Sequence, residues 1–243
     1  MVSIREILED LPLQLPVIGF NGGFISDIKT GKHQLIQRIE KGLVENLVAV
    51  IQDYGLLPFV SSFDGERDRL YFTGSLNGGM EWYLEERRSN RDPRLSQVDR
   101  LDSVLDQDVI CLTVIGRQGE LNEIEKTVKE RYPLQVETHC YENQYSPGWF
   151  WLTLHDHRST KDQAIRILQE RHGLQDRKLT VFGDHLNDIK MFRSAHRSIA
   201  VENAVPELKV HAHQVIGPNH QDSVARFIEK DWKIETAQIL AEK

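Results

Sequence analysis

The chain has 243 residues and a net charge of −7, and 40% of its residues are hydrophobic and 28% charged. Such a composition is typical of a globular protein with one large domain, or with a core and a smaller partner domain. The acidic balance disfavours nucleic acid and anionic membranes as partners, although a local basic site is compatible with it.

Hydrophobic spacing predicts a first region of mixed helices and strands. The chain opens on the end of a helix over residues 3–10, and the strand "VIGF" at 17–20 runs into an Asn-Gly-Gly turn and a second short strand. The elements predicted next are, in chain order, a helix over 33–54, a hairpin around Asp64 and Gly65, helices over 80–88 and 96–105, a strand over 109–116, a helix carrying Leu121, Ile124 and Val128, and strands over 134–142 and 149–155.

The remaining residues alternate strands with helices. The stretch "STKDQAIRILQERHG" predicts a capped helix, "KLTVFGD" a strand that ends in glycine and acid, and "SVARFIEKDW" a last helix. Nearly continuous apolar strands between helices indicate a parallel sheet covered on both faces. We therefore expect an α/β fold whose core, residues 1–32 and 156–243, is interrupted by a mixed domain over 33–155.

The two cysteines and the first residues favour a cytoplasmic location. Cys111 and Cys140 lie far apart and lack the spacing of metal ligands, which predicts buried thiols in a reducing compartment. Residues 1–16 contain acids and no sustained apolar segment, unlike a signal peptide. No apolar stretch approaches the ~20 residues of a membrane span, so we expect no membrane partner.

The segment "TVFGDHLNDIKMF", residues 180–192, carries polar groups where a strand ends. Its strand stops at Gly183 and delivers Asp184, and Asn187 and Asp188 open the next helix. Ligands of open α/β sheets bind at the carboxyl ends of the strands, and two carboxylates across such a turn can converge there on a cation such as Mg²⁺. The alternative is that Asn187 or Asp188 only caps the helix.

Lys161 is the second candidate for a functional residue. Ser159 or Thr160 is the expected N-cap of the following helix, which places Lys161 in its first turn. A cation there opposes the helix dipole at a cost of about a few tenths of a kcal/mol, unless the lysine and the helix amides hold an anion together. The alternative is a surface lysine that contacts only solvent.

Lys161 and the Gly-Asp-x-x-Asn-Asp sequence together resemble the haloacid dehalogenase (HAD) superfamily, and most closely its Cof-type, or subclass IIB, phosphatases. Residues 17–25, 198–212 and 216–229 also resemble segments of this family, although Ser223 stands where glycine is usual. The resemblance implies a HAD-like Rossmannoid core with a parallel sheet, an inserted α+β cap domain, and Mg²⁺-dependent hydrolysis of a phosphate ester through an aspartyl-phosphate.

The family pattern also implies a role for each matching residue. Lys161 would hold the phosphate and the nucleophile, and Asn187 would contact the phosphate. Asp184 would bind Mg²⁺, and Asp188 would join it at the metal or orient Lys161 or a metal-bound water.

The resemblance gives Asn21 and Gly22 a place at the boundary between core and cap, where they would face the leaving group. The implied cofactor is Mg²⁺ and the implied partner is a small phosphorylated metabolite. We expect no nucleic acid as a partner, and a chain that is a monomer or a homodimer.

Two motifs of the family are absent from these residues. No Asp-x-Asp-x-Thr nucleophile motif occurs in the 243 residues, and neither does the Ser or Thr that closes the family's second strand. The family's sheet places both strands between those at 17–20 and 179–183, so their removal would leave a gap of roughly 14 Å with unpaired edges. Without the nucleophile we expect these residues to be inactive or nearly so.

Three explanations fit the missing motifs. Met1 is an internal methionine of a longer protein, which we favour, or the remaining strands pair with each other, or another chain fills the gap. Two other functions also stay open. One is a non-catalytic HAD-like protein that binds a phosphorylated ligand or a partner, and the other is a phosphotransferase such as a mutase.

Two histidine pairs have the alternation of residues on one strand face. His155 and His157 come shortly before Lys161, so a contact with substrate is one interpretation. We interpret His211 and His213 as exposed polar residues rather than as metal ligands.

Two further stretches have simple structural interpretations. The glycine-rich residues 74–79 lack the surrounding βαβ unit of a phosphate-binding loop. Trp82, Trp149 and Trp151 are predicted to belong to the core of the inserted domain rather than to a ligand site.

Overall fold

The structure, a computed structural model, describes residues 4, 7, 8 and 10–241, with the backbone alone for 234–241. Its strands are β1 (Val17–Gly19), β2 (Phe24–Ser26), β3 (His33–Ile36), β4 (Pro58–Phe63), β5 (Asp68–Phe72), β6 (Leu95–Gln97), β7 (Asp108–Gly116), β8 (Val136–Glu142), β9 (Phe150–Asp156), β10 (Thr180–Gly183), β11 (Arg197–Val201) and β12 (Gln214–Ile216). Its α-helices are α1 (Lys41–Asp53), α2 (Gly78–Ser89), α3 (Gln118–Arg131), α4 (Lys161–His172), α5 (Ile189–Ser194), α6 (Pro206–Lys209) and α7 (Ser223–Ala241).

The chain divides into two compact units, Met1–Leu168 and Gln169–Lys243. The first unit holds β1 to β9 with α1 to α3, and the second holds β10 to β12 with α5 to α7. Helix α4 begins in the first unit and ends in the second.

A small antiparallel sheet of β1, β2 and β3 opens the first unit. The connection from β1 to β2 is a 3-10 turn, Phe20–Gly22. Within it Asn21 has φ 54° and Gly22 has φ 106°, a left-handed backbone that asparagine tolerates and glycine adopts freely. The predicted strand, Asn-Gly-Gly turn and second strand are confirmed.

The main sheet of the first unit has six strands in the order β6-β5-β4-β7-β9-β8. Neighbouring strands pair antiparallel except β5 and β6. Because side chains alternate along a strand, each strand sends every second residue to each face. One face is apolar and packs on α1 and α3, and its buried residues include Val44, Leu47, Val60, Leu112, Val114, Leu121, Ile124, Leu152 and Leu154.

The opposite face of this sheet is mixed. Met80 and Leu84 of α2 pack on its apolar part. Trp151 is buried in the same cluster, and Trp82 and Trp149 are partly buried and packed against it, as predicted for core residues. Trp82 and Trp151 also line a cavity, so the prediction that they take no part in a ligand site stays untested. The rest of this face carries the small polar residues Ser61, Thr113 and Thr153, each 8% exposed.

The second unit is built on a parallel sheet in the order β10-β11-β12, which confirms the predicted parallel strands. Its central strand β11 is buried from Ser198 onward. Strand β10 ends at Gly183, and a 3-10 turn, Leu186–Asp188, leads into α5.

The helix predicted over 33–54 is wrong in its first part. Residues His33–Ile36 form β3, because they complete the opening sheet by pairing with β2. Helix α1 begins only at Lys41, where the Glu40 carboxylate accepts a hydrogen bond from Leu43 N at 3.1 Å. A side-chain acceptor at the N-cap therefore fixes the true start of the helix.

The helix predicted over 96–105 is wrong. Residues Leu95–Gln97 form β6, which pairs parallel with β5, and a 3-10 turn follows at Leu101–Ser103. Leu101 and Leu105 have helical spacing, but both enter the core beside α1 from a turn. In β6 the backbone N–H and C=O groups form hydrogen bonds with β5, whereas in a helix they would have bonded to one another.

Three smaller expectations have mixed outcomes. The helix end predicted at 3–10 lies mostly outside the described residues. Among the described residues, no helix is both long and apolar enough to cross a membrane. Both cysteines are free, and Cys111 is buried as predicted, but Cys140 is partly exposed because it lies on β8 at the edge of its sheet.

Candidate functional site

The turn after β10 carries the acidic residues singled out in the sequence. Asp188 is 2% exposed, and its Oδ2 accepts hydrogen bonds from the backbone N–H groups of Asp184 and His185 at 3.0 and 3.2 Å. A Cβ on Gly183 would lie 2.6 Å from the same oxygen, so glycine is what allows the carboxylate to approach this closely. Asp188 therefore fixes the turn that carries Asp184 and Asn187.

Asp184 is exposed at the carboxyl end of β10, and Asn187 of the same turn is partly exposed. Carboxylate and amide oxygens are ligands that Mg²⁺ accepts, so Asp184 fits a magnesium site. Asp188 already uses Oδ2 in two hydrogen bonds, which suits a positioning role better than direct ligation. The described residues hold no cluster of three or more His, Cys, Asp or Glu that could bind a metal.

Helix α4 begins at Lys161, where the first backbone N–H groups of a helix lack partners within it. Ala164 N donates to Thr160 O at 3.0 Å, which places Thr160 at the N-cap position. The Thr160 hydroxyl has no partner among the described residues, and the Ser159 hydroxyl donates to Gln37 O at 3.4 Å. Thr160 thus lacks the side-chain capping bond that the sequence predicts.

Two buried polar atoms on either side of Lys161 lack partners within the described part of the chain. They are Thr160 Oγ1 and Asp162 Oδ1. Buried polar atoms without a partner are rare and require an explanation, such as a ligand or a bound water. The Thr160 hydroxyl is able to donate a hydrogen bond to an anion at the start of α4, whereas the carboxylate of Asp162 can only accept one.

The Asn-Gly-Gly turn lies directly against the start of α4. A Cβ on Gly22 would lie 2.4 Å from Thr160 O and 2.9 Å from Thr160 N. Because Gly22 also has φ 106°, a side chain is excluded by contact and by backbone conformation together. This packing brings Asn21 and Gly22 next to the residue that precedes Lys161.

A cavity of about 510 Å³ opens on the mixed face of the six-stranded sheet in the first unit. Its floor is formed by side chains of β4, β7 and β9, namely Ser61, Cys111, Thr113, Thr153 and His155. Its aromatic lining consists of Trp82, Tyr83, Tyr141, Tyr145 and Trp151. Phe20 and Asn21 line it as well, so the cavity extends to the Asn-Gly-Gly turn.

The charged side chains at this cavity are paired with one another. Arg94 donates from Nε and Nη2 to the two oxygens of Asp92 at 2.9 and 2.6 Å, and Arg87 Nη1 donates to Asp92 Oδ2 at 3.3 Å. Arg87 Nε also lies 3.0 Å from Glu86 Oε2, an ion pair by distance in which neither atom has hydrogen-bond geometry to a described residue. Burial raises the pKa of Asp92, but hydrogen bonds from Arg94 outweigh it and lower the pKa to about 2.

His155 lies in the cavity floor, is 2% exposed, and has no hydrogen-bond partner for either ring nitrogen among the described residues. The Ile110 backbone is near the ring but outside hydrogen-bond geometry. Burial, and to a smaller extent repulsion by His139, lowers the pKa of His155 to about 3. The neutral imidazole therefore keeps one N–H donor and one nitrogen acceptor unused. His157, by contrast, is exposed.

A chain of Ser26, His33 and Asp68 has the residue types of a hydrolase triad. The Ser26 hydroxyl lies 2.6 Å from His33 Nδ1, and His33 Nε2 lies 2.8 Å from Asp68 Oδ1. Ser26 is 0% exposed, so its hydroxyl cannot meet a substrate as a nucleophile would. These bonds instead connect β2 and β3 to β5. No local spacing in the sequence predicts them.

The second histidine pair takes part in structural hydrogen bonds. His213 Nδ1 lies 2.7 Å from the Ser198 hydroxyl, and His211 Nε2 lies 3.2 Å from Arg193 Nη2. His213 is exposed as predicted, and His211 is partly exposed. The glycine-rich residues 74–79 contain the N-cap of α2, which agrees with their structural interpretation.

The structure gathers the predicted site residues into two groups. The first unit holds Asn21, Gly22 and Lys161, and the second holds Asp184, Asn187 and Asp188.

Sequence reasoning missed most of the cavity. A usable signal lies in "VICLTVIG", where Cys111 and Thr113 break an otherwise apolar strand at every second position.

Comparison with known proteins identifies a family over most of the chain. The profile of the haloacid dehalogenase-like hydrolases matches residues 1–228. A phosphatase of Bacillus subtilis, 5-amino-6-(5-phospho-D-ribitylamino)uracil phosphatase YwtE, is 25% identical over 94% of this chain and 82% of its own length.

A second relative matches over a shorter region. A protein of Haemophilus influenzae named a putative phosphatase is 27% identical over 150 residues, which are 62% of this chain and 53% of that protein. The chain thus spans about half the length of this relative.

A solved structure supports the fold. A sugar phosphatase of HAD subclass IIB superposes with a TM-score of 0.70 at 19% identity, over 95% of this chain and 80% of the other. At this identity the likeness establishes the fold alone, and it confirms the α/β architecture expected from the sequence.

Proposed function

Because this chain belongs to the family of haloacid dehalogenase-like hydrolases, we propose that its site serves the Mg²⁺-dependent hydrolysis of a small phosphorylated metabolite. One observation carries the proposal. Lys161 is the first residue of α4, and Gly22 of the Asn-Gly-Gly turn packs against the preceding residue, Thr160. This arrangement offers a phosphate an ammonium group, helix N–H groups and the Thr160 hydroxyl together.

Each polar residue has a role that its position supports. Lys161 holds the phosphoryl group by charge and keeps it at the start of α4. The Asn187 amide donates a hydrogen bond to a phosphate oxygen. Asp188 positions the turn through its bonds to the backbone of Asp184 and His185.

Asp184 is the residue that would hold Mg²⁺, with water and groups outside the described residues completing the shell. Bound Mg²⁺ supplies positive charge that stabilises the charge developing on the phosphoryl oxygens. We also keep the division into a core, residues 1–32 and 156–243, and a cap over 33–155 as a proposal.

The nucleophile is missing from these residues. The 243 residues contain no Asp-x-Asp-x-Thr sequence, so attack by an aspartate of that motif needs a carboxylate from elsewhere. We propose that residues 1–243 alone bind a phosphate ester without turning it over. A second candidate function is a HAD-like protein that binds a phosphorylated ligand without hydrolysing it, and an Asp-x-Asp-x-Thr sequence encoded in frame before Met1 would exclude it.

The name of one relative supports a proposal about the substrate, and the location and partners are proposed with it. The Bacillus subtilis relative is named for a phosphorylated ribitylaminouracil, and a phosphomonoester of similar size fits the proposal. We further propose a cytoplasmic protein that is a monomer or homodimer and has no nucleic-acid partner.

Hydrolysis of p-nitrophenyl phosphate tests the proposal that the nucleophile is missing. Purified residues 1–243 with Mg²⁺ should release p-nitrophenol no faster than the Lys161→Ala variant does. The opposite result would be Mg²⁺-dependent turnover that is abolished by Lys161→Ala and kept by Lys126→Ala, a change at an exposed position of α3. It would show that these residues contain a complete catalytic site.

A further inference from the structure

We propose that the cavity on the mixed face of the six-stranded sheet binds a flat, uncharged aromatic ring carried by the leaving group of the substrate. The inference rests on the proposed function only in taking the ligand to be a phosphate monoester. It adds the chemical class of the group attached to the phosphate.

The floor of the cavity is polar and buried, and the hydroxyls of Thr153 and Thr113 make only long contacts, with His139 O at 3.4 Å and with Cys111 Sγ at 3.5 Å. Ser61, Thr113 and Thr153 are each 8% exposed, while neighbouring residues of the same strands, such as Leu112 and Leu154, build the core on the other face. Buried positions are usually apolar, and the small polar groups here line a cavity that a ligand can fill. The volume of about 510 Å³ suits one small molecule.

The lining offers surfaces for a flat ring. Trp151 packs edge-to-face with Trp82 and Tyr83, with ring centroids 6.1 and 6.2 Å apart and interplanar angles of 86° and 79°. Tyr141 and Tyr145 are 41% and 83% exposed and line the same cavity, so their rings are accessible to a ligand. Aromatic side chains favour flat rings through offset or edge-to-face contact.

The charges at the cavity favour an uncharged ring. Glu86, Arg87, Asp92 and Arg94 form one paired group whose formal charges cancel. A charged leaving group would have to break these pairs or lose its own hydration without compensation. A neutral ring requires neither.

His155 indicates that the ring carries polar atoms at its edge. Both of its ring nitrogens are buried without a partner among the described residues, and the imidazole lines the cavity floor. A neutral imidazole is satisfied by a ligand edge that offers one acceptor and one donor, as amide or imide groups of heterocycles do.

The cavity reaches the Asn-Gly-Gly turn, which packs on the start of α4. Asn21 lines the cavity, and the adjacent Gly22 packs against Thr160, which precedes Lys161. A phosphate at the start of α4 would therefore direct its attached group toward the aromatic lining.

Three related probes separate recognition of the ring from recognition of the phosphate. Flavin mononucleotide carries both groups, riboflavin lacks the phosphate, and D-ribitol 5-phosphate lacks the ring. Residues 1–243 should bind flavin mononucleotide at least about tenfold more tightly than D-ribitol 5-phosphate, because stacking on aromatic side chains adds to the phosphate contacts. Flavin fluorescence, which stacking quenches, and titration calorimetry measure this directly.

Two variants and a matched control assign any binding to the cavity. Tyr141→Leu and His155→Leu should each weaken flavin mononucleotide and riboflavin about tenfold and leave D-ribitol 5-phosphate unchanged. Tyr54→Leu is the control, since Tyr54 is 42% exposed, close to the 41% of Tyr141, and lies outside the cavity. It should change no affinity.

The outcomes separate this inference from the proposed function. Riboflavin binding that depends on Tyr141 and His155 supports the ring site even if Lys161→Ala has no effect on phosphate esters. Equal affinity for flavin mononucleotide and D-ribitol 5-phosphate, or flavin binding that survives both cavity variants, overturns the ring site and leaves the phosphatase proposal intact.

Discussion

Single residues at the candidate site are constrained more by close packing than by charge. Gly22 carries no functional group, yet its missing side chain is what allows the Asn-Gly-Gly turn to reach Thr160. Gly183 is similar, because a side chain there would collide with the Asp188 carboxylate. In both places a glycine determines where a polar neighbour lies.

Gly22→Ala should lower the free energy of unfolding by about 2 kcal/mol or more, because the alanine meets both an unfavourable φ and the Thr160 backbone. Gly31→Ala is the matched control, with φ 74° and nothing within 4 Å of its added Cβ. It should lose only about 1 kcal/mol. Urea denaturation measures both values, and equal losses would contradict a close contact at Gly22.

His155→Leu should not lower the free energy of unfolding at pH 7, because it removes two buried polar atoms that lack partners. The folded-state pKa of His155 is lowered to about 3, so the unfolded chain binds the proton first as the pH falls below about 6.5. The stability of the wild type should then decrease relative to the variant by about 1.4 kcal/mol per pH unit between pH 6 and 4.

Urea denaturation of both proteins at pH 7, 6, 5 and 4 checks this prediction. His139 is the neighbouring titratable group and is present in both, so its contribution largely cancels. A difference in stability that does not change with pH would mean that His155 is not buried in neutral form.

At the scale of elements, β7 shows how one strand serves two purposes. Val114 faces the core against α1 and α3, and Thr113 faces the cavity. Their side chains have nearly the same shape, so exchanging them compares the two faces without a change in volume.

Val114→Thr should lower the free energy of unfolding by about 1 to 3 kcal/mol, because it places a hydroxyl in a fully buried apolar core. Thr113→Val should cost less than about 1 kcal/mol, since Thr113 Oγ1 has only a weak contact with Cys111 Sγ at 3.5 Å. Thermal and urea unfolding measure both. If Thr113→Val is the more damaging change, the mixed face is a structural layer rather than a ligand surface.

The sequence predicts elements well where their residues meet local rules and poorly where distant pairing decides. Periodicity identifies α3, and the alternation of strands and helices identifies the parallel sheet of the second unit. Residues 33–36 and 95–97 instead depend on partners in β2 and β5, which no local pattern shows.

The site follows the same division. The motif spacing predicts Asp184 and Lys161, whereas the cavity depends on side chains that five strands and α2 bring together.

At the scale of the whole molecule, we propose that Lys161 and Asp184 serve a phosphate site, while the 243 residues contain no Asp-x-Asp-x-Thr sequence. The family model matches residues 1–228. Under this proposal, the binding of a phosphate ester by residues 1–243 can be measured without turnover.

The most direct test is the affinity of residues 1–243 for D-ribitol 5-phosphate, measured by calorimetry with and without Mg²⁺. Lys161→Ala should weaken binding about tenfold or more, because it removes a charge-assisted contact, while Lys126→Ala changes nothing. Mg²⁺ should strengthen binding to the wild type but not to Asp184→Asn. Affinities that are the same in the wild type, Lys161→Ala and Asp184→Asn would contradict the proposed phosphate site.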